Sequence, residues 1–373
     1  FHSGGLRSPR LACSMALCCS LPAWARVSPS SAIVGALPAL APWRLDSRSF
    51  GALGSRVALG RRPVRGLPST VSRSSGGISR AGKASSEVAV VTGAGSGIGR
   101  ALCLVLLARG LRVIGLGRRR EALEGTRTLS LAAAGAVDDS PPAMDIQVAD
   151  IAKPEDRAAA AEGIRAVLAQ NGASLTCLVH NAAILGEVGP PSALSEEGFR
   201  EAMAINVEGP LFLTQALAGD LGASGGGRVL HVSSGAAHSA LRGWLPYCTT
   251  KAALLHLMRC LDKELAEEGV RVGSAMPGVV DTDMQASIRG LDFPDVGYFR
   301  SLQRAPHGDI QASLAARPAP PPGGALDRPE NVAQFLAWLL LDVQADEFGG
   351  REWDIHDQAS QQRWLSAVAA ARG

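Results

Sequence analysis

The sequence predicts an α/β protein: one domain on a doubly wound, seven-stranded parallel sheet, preceded by a disordered leader. Three observations predict it. From residue 86 onward, short β-branched runs alternate with stretches of helical length. The strand runs are almost continuously apolar, as in a sheet covered on both faces. A glycine-rich turn joins the first strand to the first helix.

Taken in order, "VAVVT" (88–92) is a buried strand, and "GIGRALCLVLLARG" (97–110) is a helix closed by a glycine cap. "RVIGLG" (112–117) is the second strand, "MDIQVA" (144–149) the third and "LTCLVH" (175–180) the fourth. "GRVLHVSS" (227–234) is the fifth, "GVRVGSAMP" (269–277) the sixth and "REWDI" (351–355) the seventh. Helical patterns fill the gaps, including 153–170, 193–218, 245–268 and 328–342. Each parallel pair then needs a right-handed crossover. Residues 285–327 fit poorly: their prolines exclude a regular helix across the segment. So long an irregular insertion, near the carboxyl ends of the strands, is expected to cover a substrate; a surface insertion without a role is the competing reading.

Charge divides the chain. Residues 1–85 carry twelve Lys or Arg and one acid, Asp46, so the leader is near +11 and residues 86–373 are near −8. A leader rich in Arg, Ser, Ala, Gly and Pro reads as a cleavable organelle-targeting segment, a plastid before a mitochondrion; a low-complexity tail competes. Its apolar run 11–25 is too short for a bilayer span, and no other run suits one. The positive charge sits outside the folded body, which speaks against nucleic-acid binding. The cysteines show no ligand spacing, so they read as reduced thiols, with neither a metal site nor a disulfide framework.

The turn "TGAGSGIG" lies between strand and helix, where Gly93, Gly97 and Gly99 let the backbone approach a pyrophosphate. A helix N-terminus adds free N–H groups and a partial positive charge. In such a dinucleotide fold an acid ending strand two would bind the ribose 2′-hydroxyl of NAD. Here Gly117 ends it, and Arg118, Arg119 and Arg120 follow. A guanidinium fork suits a 2′-phosphate, so the cofactor is expected to be NADP, as NADPH, with Arg118 its ligand. Arg119 and Arg120 also fit a solvated helix start. Asp150, after strand three, either takes the adenine amino group or caps the next helix.

"LPYCTTK" (245–251) places Tyr247 and Lys251 one helical turn apart, thirteen residues after Ser234. With "HNAA" (180–183), Asn206 in "AINVEGPLFLTQAL" and "PGVVDTD" (277–283), these motifs resemble the short-chain dehydrogenase/reductase family, a Rossmann-type fold. The C-terminal "RPENVAQFLAWLLL…FGGREWDIHD" loosely resembles its sepiapterin reductase and benzil reductase subgroup. The resemblance implies that Thr92, Gly93, Ser96, Gly97, Ile98 and Gly99 bind the cofactor, with Asn181 and Ala182 beside the adenosine. It places Pro277, Gly278, Val280 and Thr282 around the nicotinamide, with Tyr247 and Lys251 also touching the cofactor. His180 and Ala183 depart from the family's NNAG, and His180 is given no catalytic role.

The resemblance makes Asn206, Ser234, Tyr247 and Lys251 catalytic. A phenol titrates near ~10; a neighbouring ammonium lowers that value, making Tyr247 a usable acid. Ser234 orients the carbonyl, with Ser233 as the other hydroxyl available. Asn206 holds a water beyond Lys251, or bonds only locally. His238, Trp244 and Met284 are candidates for the pocket wall, Tyr298 for a lid or packing residue, and Trp353 for the core. The expected activity is reduction of a small-molecule carbonyl to an alcohol, or the reverse. The alternatives are a catalytically silent dinucleotide-binding regulator and an NAD-linked alcohol dehydrogenase. The resemblance also implies a homodimer or homotetramer through the helices at 193–218 and 245–268.

Overall fold

Apolar runs too polar-poor for an open face form the strands, and all seven strands pair in parallel. The computed structural model describes residues 87–133, 144–302 and 326–370; the leader and residues 303–325 of the insertion lie outside them. The strands are β1 Glu87–Thr92, β2 Arg112–Gly117, β3 Met144–Val148, β4 Ser174–His180, β5 Gly227–Val232, β6 Val270–Met276 and β7 Glu352–Asp354. Their order is β3-β2-β1-β4-β5-β6-β7, so the winding reverses between β1 and β4. That reversal opens the crevice at the carboxyl ends where such sheets bind ligands.

The helices are α1 Gly97–Ala108, α2 Arg120–Ala133, α3 Pro154–Asn171, α4 Glu196–Met203, α5 Gly209–Ala223 and α6 Leu245–Leu265. After β6 come α7 Asp283–Gly290, α8 Val296–Ser301, α9 Pro329–Leu341, α10 Ala345–Phe348 and α11 Gln358–Ala370. Alternate residues of each strand serve opposite faces. Ala89 and Val91 of β1 join α1, α9 and α11 in one core, where Phe335, Trp353 and Trp364 are fully buried. Val88 and Val90 join α3, α5 and α6 in the other, around Ile164, Leu213 and Met258. Truncating an aromatic of this kind to alanine costs about 3–5 kcal/mol.

Two expectations change. The run 193–218 is not one helix: α4 and α5 are separated by a π turn at Ala204–Glu208. Pro210 has no N–H to give to the carbonyl four residues back, that of Asn206, so the ladder widens there. The insertion is also less irregular than its prolines suggest. Residues ahead of the proline-rich stretch form α7 and α8, and α8 starts only after Pro294. The glycine cap of α1 holds: Gly110 has φ 86°, and its N–H bonds Leu107 O at 2.9 Å.

Candidate active site

The glycine loop is shaped from below. Asn181, at the end of β4, donates its amide to Thr92 O (3.0 Å), and its main-chain N–H bonds Thr92 Oγ1 (3.0 Å). Thr92 Oγ1 in turn bonds Val179 O at 3.2 Å. A Cβ at Gly99 would sit 2.3 Å from Gly93 O, and Gly93 itself has φ 69°; neither place admits a side chain. Thr92 and Gly99 are buried under the loop rather than on the cleft wall, so their part is to brace and to pack.

Above them, Gly93, Ser96, Gly97 and Ile98 line a cleft of about 420 Å³, joined by Asn181, Ala182, Pro277, Gly278, Val280 and Thr282. The N-cap of α1, Ser96, makes no side-chain bond, and its first turn holds no acid. The free N–H groups and bare glycine backbone therefore fit a pyrophosphate. A second chamber of about 190 Å³ shares Gly93, Ser96 and Ala182 with the first and is bordered by Gly117, Arg118 and Asp150. Arg119 lines both chambers, a position its place in a run of three arginines did not single out. Arg120 instead points along its own helix to Glu124 at 4.0 Å. Asp150 does not cap α3. Its Oδ1 takes the N–H of Ala152 (3.1 Å), and Lys153 is the cap residue.

Ser234, Tyr247 and Lys251 all line the larger cleft, together with Val232 and Ser233. Burial pushes the Tyr247 phenol up to about 12, partly offset by a hydrogen bond with Ser234. Lys251 is buried, and desolvation lowers it to about 8. Its Nζ donates to Val232 O at 2.8 Å and lies 5.6 Å from the centre of the Tyr247 ring. The ammonium thus faces the ring rather than bonding the phenol oxygen, and the expected lowering of the Tyr247 pKa is not seen. Burial is the largest cause of the shift.

Asn206 lies behind the cleft, 1% exposed. Its amide donates to Ile184 O (2.8 Å) and Thr250 Oγ1 (3.0 Å), and its Oδ1 accepts from Ile184 N (2.9 Å). The side chain is committed to holding the turn after β4 against α6. His180 and His231 face each other across β4 and β5 with ring centres 5.2 Å apart. Burial keeps both neutral, His231 at about 3.

Trp244 and Met284 line the cleft as expected. His238 does not: its Nε2 pairs with Glu352 on β7 at 2.5 Å. Trp353 is core, and Tyr298 is 58% exposed with its ring edge on Phe299. Gln285, Ile288 and Phe299, unmarked in sequence, join the wall. Behind the wall lies a brace: Asp327 is hydrogen-bonded through its backbone to Val279 and Asp281 (2.9 Å each), and His356 Nε2 lies 3.0 Å from its carboxylate. This bond raises the His356 pKa and ties residues 279–281 to the C-terminal segment. No local signal marks a pair so far apart in sequence. Among the described residues there is no cluster able to hold a metal and no helix long and apolar enough to cross a membrane.

The family model described as short chain dehydrogenase matches residues 87–290. A cyclohexanol dehydrogenase of an Acinetobacter species is 28% identical over 264 residues, covering 70% of this chain and 90% of that protein. Among solved structures, actinorhodin polyketide ketoreductase with NADPH is 26% identical at a TM-score of 0.57, covering 72% of this chain and 95% of its own. A 3-ketoacyl-(acyl-carrier-protein) reductase from Brucella melitensis, complexed with NADH, is 25% identical at 0.57, covering 74% and 100%.

Proposed function

The chain belongs to the short-chain dehydrogenase family, and on that premise we propose that it is an NADPH-dependent oxidoreductase reducing a carbonyl to an alcohol, or running the reverse. The observation that carries the reading is the convergence of Ser234, Tyr247 and Lys251 on the cleft whose other wall is the glycine loop. Three committed side chains in one place also speak against a silent regulator.

The dinucleotide supplies the hydride when bound. The protein's own residues do the rest. Ser234 donates a hydrogen bond to the substrate oxygen and fixes the carbonyl against Tyr247. As negative charge grows on that oxygen, the Tyr247 hydroxyl gives it a proton, leaving an alcohol and a phenolate. A phenol raised to about 12 holds its proton firmly in the resting site, so it is an available acid across the neutral range. Lys251, buried beside the ring, opposes the phenolate charge in a site where water screens little. Asn206 keeps α6 and the turn after β4 in register, so the two catalytic side chains stay aligned.

Support for NADPH comes from the second chamber. Gly117 leaves no carboxylate for a ribose 2′-hydroxyl. Arg118 and Arg119 are exposed at its edge, and neither pairs with an acid among the described residues. Two forks meeting one phosphate would bind it strongly.

The test is NADPH consumption by the full chain over a panel of carbonyl compounds. Tyr247→Phe should lower turnover at least about a hundredfold, the scale of a lost general acid, with NADPH binding intact. Unchanged turnover in Tyr247→Phe would remove the proposed acid.

A further inference from the structure

The substrate end of the cleft is walled by aromatic and apolar side chains. Trp244 stacks on Phe299 with ring centres 5.0 Å apart and meets Tyr247 edge-on at 5.6 Å. Phe293 tilts against both Trp244 and Phe299, and Ile288 and Met284 complete the surface. Among the described residues, the charged groups lining the cleft are Arg119, Lys251 and Asp283. Arg119 sits toward the second chamber, Lys251 is spent on Val232 O, and Asp283 is exposed. None offers a buried countercharge to a carboxylate or phosphate.

Three buried donors on residues lining the cleft have no acceptor among the described residues: Ser233 Oγ, beside Ser234, and two nitrogens in the apolar wall. Gln285, on the first turn of α7, is 4% exposed, and its Nε2 is unpartnered; so is the indole Nε1 of Trp244. Both residues line the cleft that holds Ser234 and Tyr247. An orphaned buried N–H is costly, and a ligand acceptor in the cleft would relieve that cost. Gln285 belongs to the cleft lining and has three side-chain torsions through which its amide can turn, while Trp244 is held against Tyr247, Phe293 and Phe299.

Resting on the carbonyl-reductase reading above, we propose that the cleft takes an uncharged ketone or aldehyde with an apolar or aromatic body and a second acceptor oxygen near the reacting carbonyl, and that Gln285 recognises that oxygen. A site built to hydrogen-bond a substrate group discriminates strongly against the analogue lacking it, because the protein donor is then stranded. The second oxygen takes no part in the electron flow. The hydride enters one carbonyl carbon, and the Tyr247 proton goes to that carbonyl's oxygen.

The full chain is assayed with acenaphthenequinone and with acenaphthenone, which share one flat skeleton and differ by the second oxygen. Phenylglyoxylate serves as a charged comparison. Dividing kcat/KM for the dione by that for the ketone, and comparing this ratio between proteins, cancels the intrinsic reactivity of the dione. Gln285→Met should reduce the ratio at least about tenfold, equivalent to ~1.4 kcal/mol. Gln285→Leu, which likewise lacks the donor, should reduce it to the same degree. NADPH binding by both variants verifies that they are folded. Phenylglyoxylate should be a poor substrate throughout. An unchanged ratio in folded variants overturns the role of Gln285, and phenylglyoxylate preferred to the dione overturns the uncharged substrate; either leaves the reductase reading standing. A wild-type protein that binds NADPH and reduces no carbonyl compound overturns both.

Discussion

At the residue scale, burial sets the chemistry of the two central side chains in opposite directions. It holds the Tyr247 proton up to about pH 12 and loosens the Lys251 proton at about 8. Reduction needs the phenol protonated and the lysine charged. The first condition holds through the whole working range, and the second fails as pH rises through about 8. Log kcat/KM for reduction should therefore be flat below about pH 8 and fall with unit slope above it. In Lys251→Arg any residual activity should lose that limb, because a guanidinium stays charged. A profile without the limb, or one unmoved in Lys251→Arg, means another group titrates. The same shift acts on stability. The unfolded chain keeps the lysine proton to about 10.4, whereas the folded state releases it near 8. The desolvation cost is complete below 8, so stability rises with pH between those values.

At the element scale, the phosphate loop and the end of β2 decide the cofactor. Arg118 was marked by sequence because it follows the residue at the strand end. Arg119 gains its place only from the turn between β2 and α2, which brings it to both chambers. The double variant Arg118→Ala/Arg119→Ala should narrow the NADPH-over-NADH preference in kcat/KM about tenfold to a hundredfold, the scale of hydrogen bonds to a charged group. A preserved ratio would place the phosphate elsewhere. The strands were legible because a doubly covered sheet demands unbroken apolar runs, and the phosphate loop because glycine spacing follows from backbone approach. The π turn at Ala204–Glu208 was not read, although Pro210 marks it, because the flanking apolar pattern continues through it. The Asp327–His356 brace and the Gln285 wall were not legible at all. Each depends on how distant segments return over β6, and no local spacing records that.

At the scale of the whole molecule, one sheet reversal between β1 and β4 gathers the glycine loop, Asn181, Ser234 and the start of α6 at the same edge. Both cores and the site lie within residues 87–370. We propose that the basic leader directs targeting, so removing residues 1–85 should leave cofactor binding and turnover within about twofold of the full chain. A truncated protein unable to bind NADPH would make the leader part of the folded enzyme. The central claim is that a hydride passes to a carbonyl carbon while Tyr247 protonates its oxygen. The most direct measurement uses NADPH carrying deuterium at both nicotinamide C4 positions and follows the label into the alcohol in wild type and Tyr247→Phe. Wild type should place one deuterium on the carbinol carbon, and the variant should form labelled product at least about a hundredfold more slowly. Label that never leaves the nucleotide, or a variant forming labelled alcohol at the wild-type rate, would contradict it.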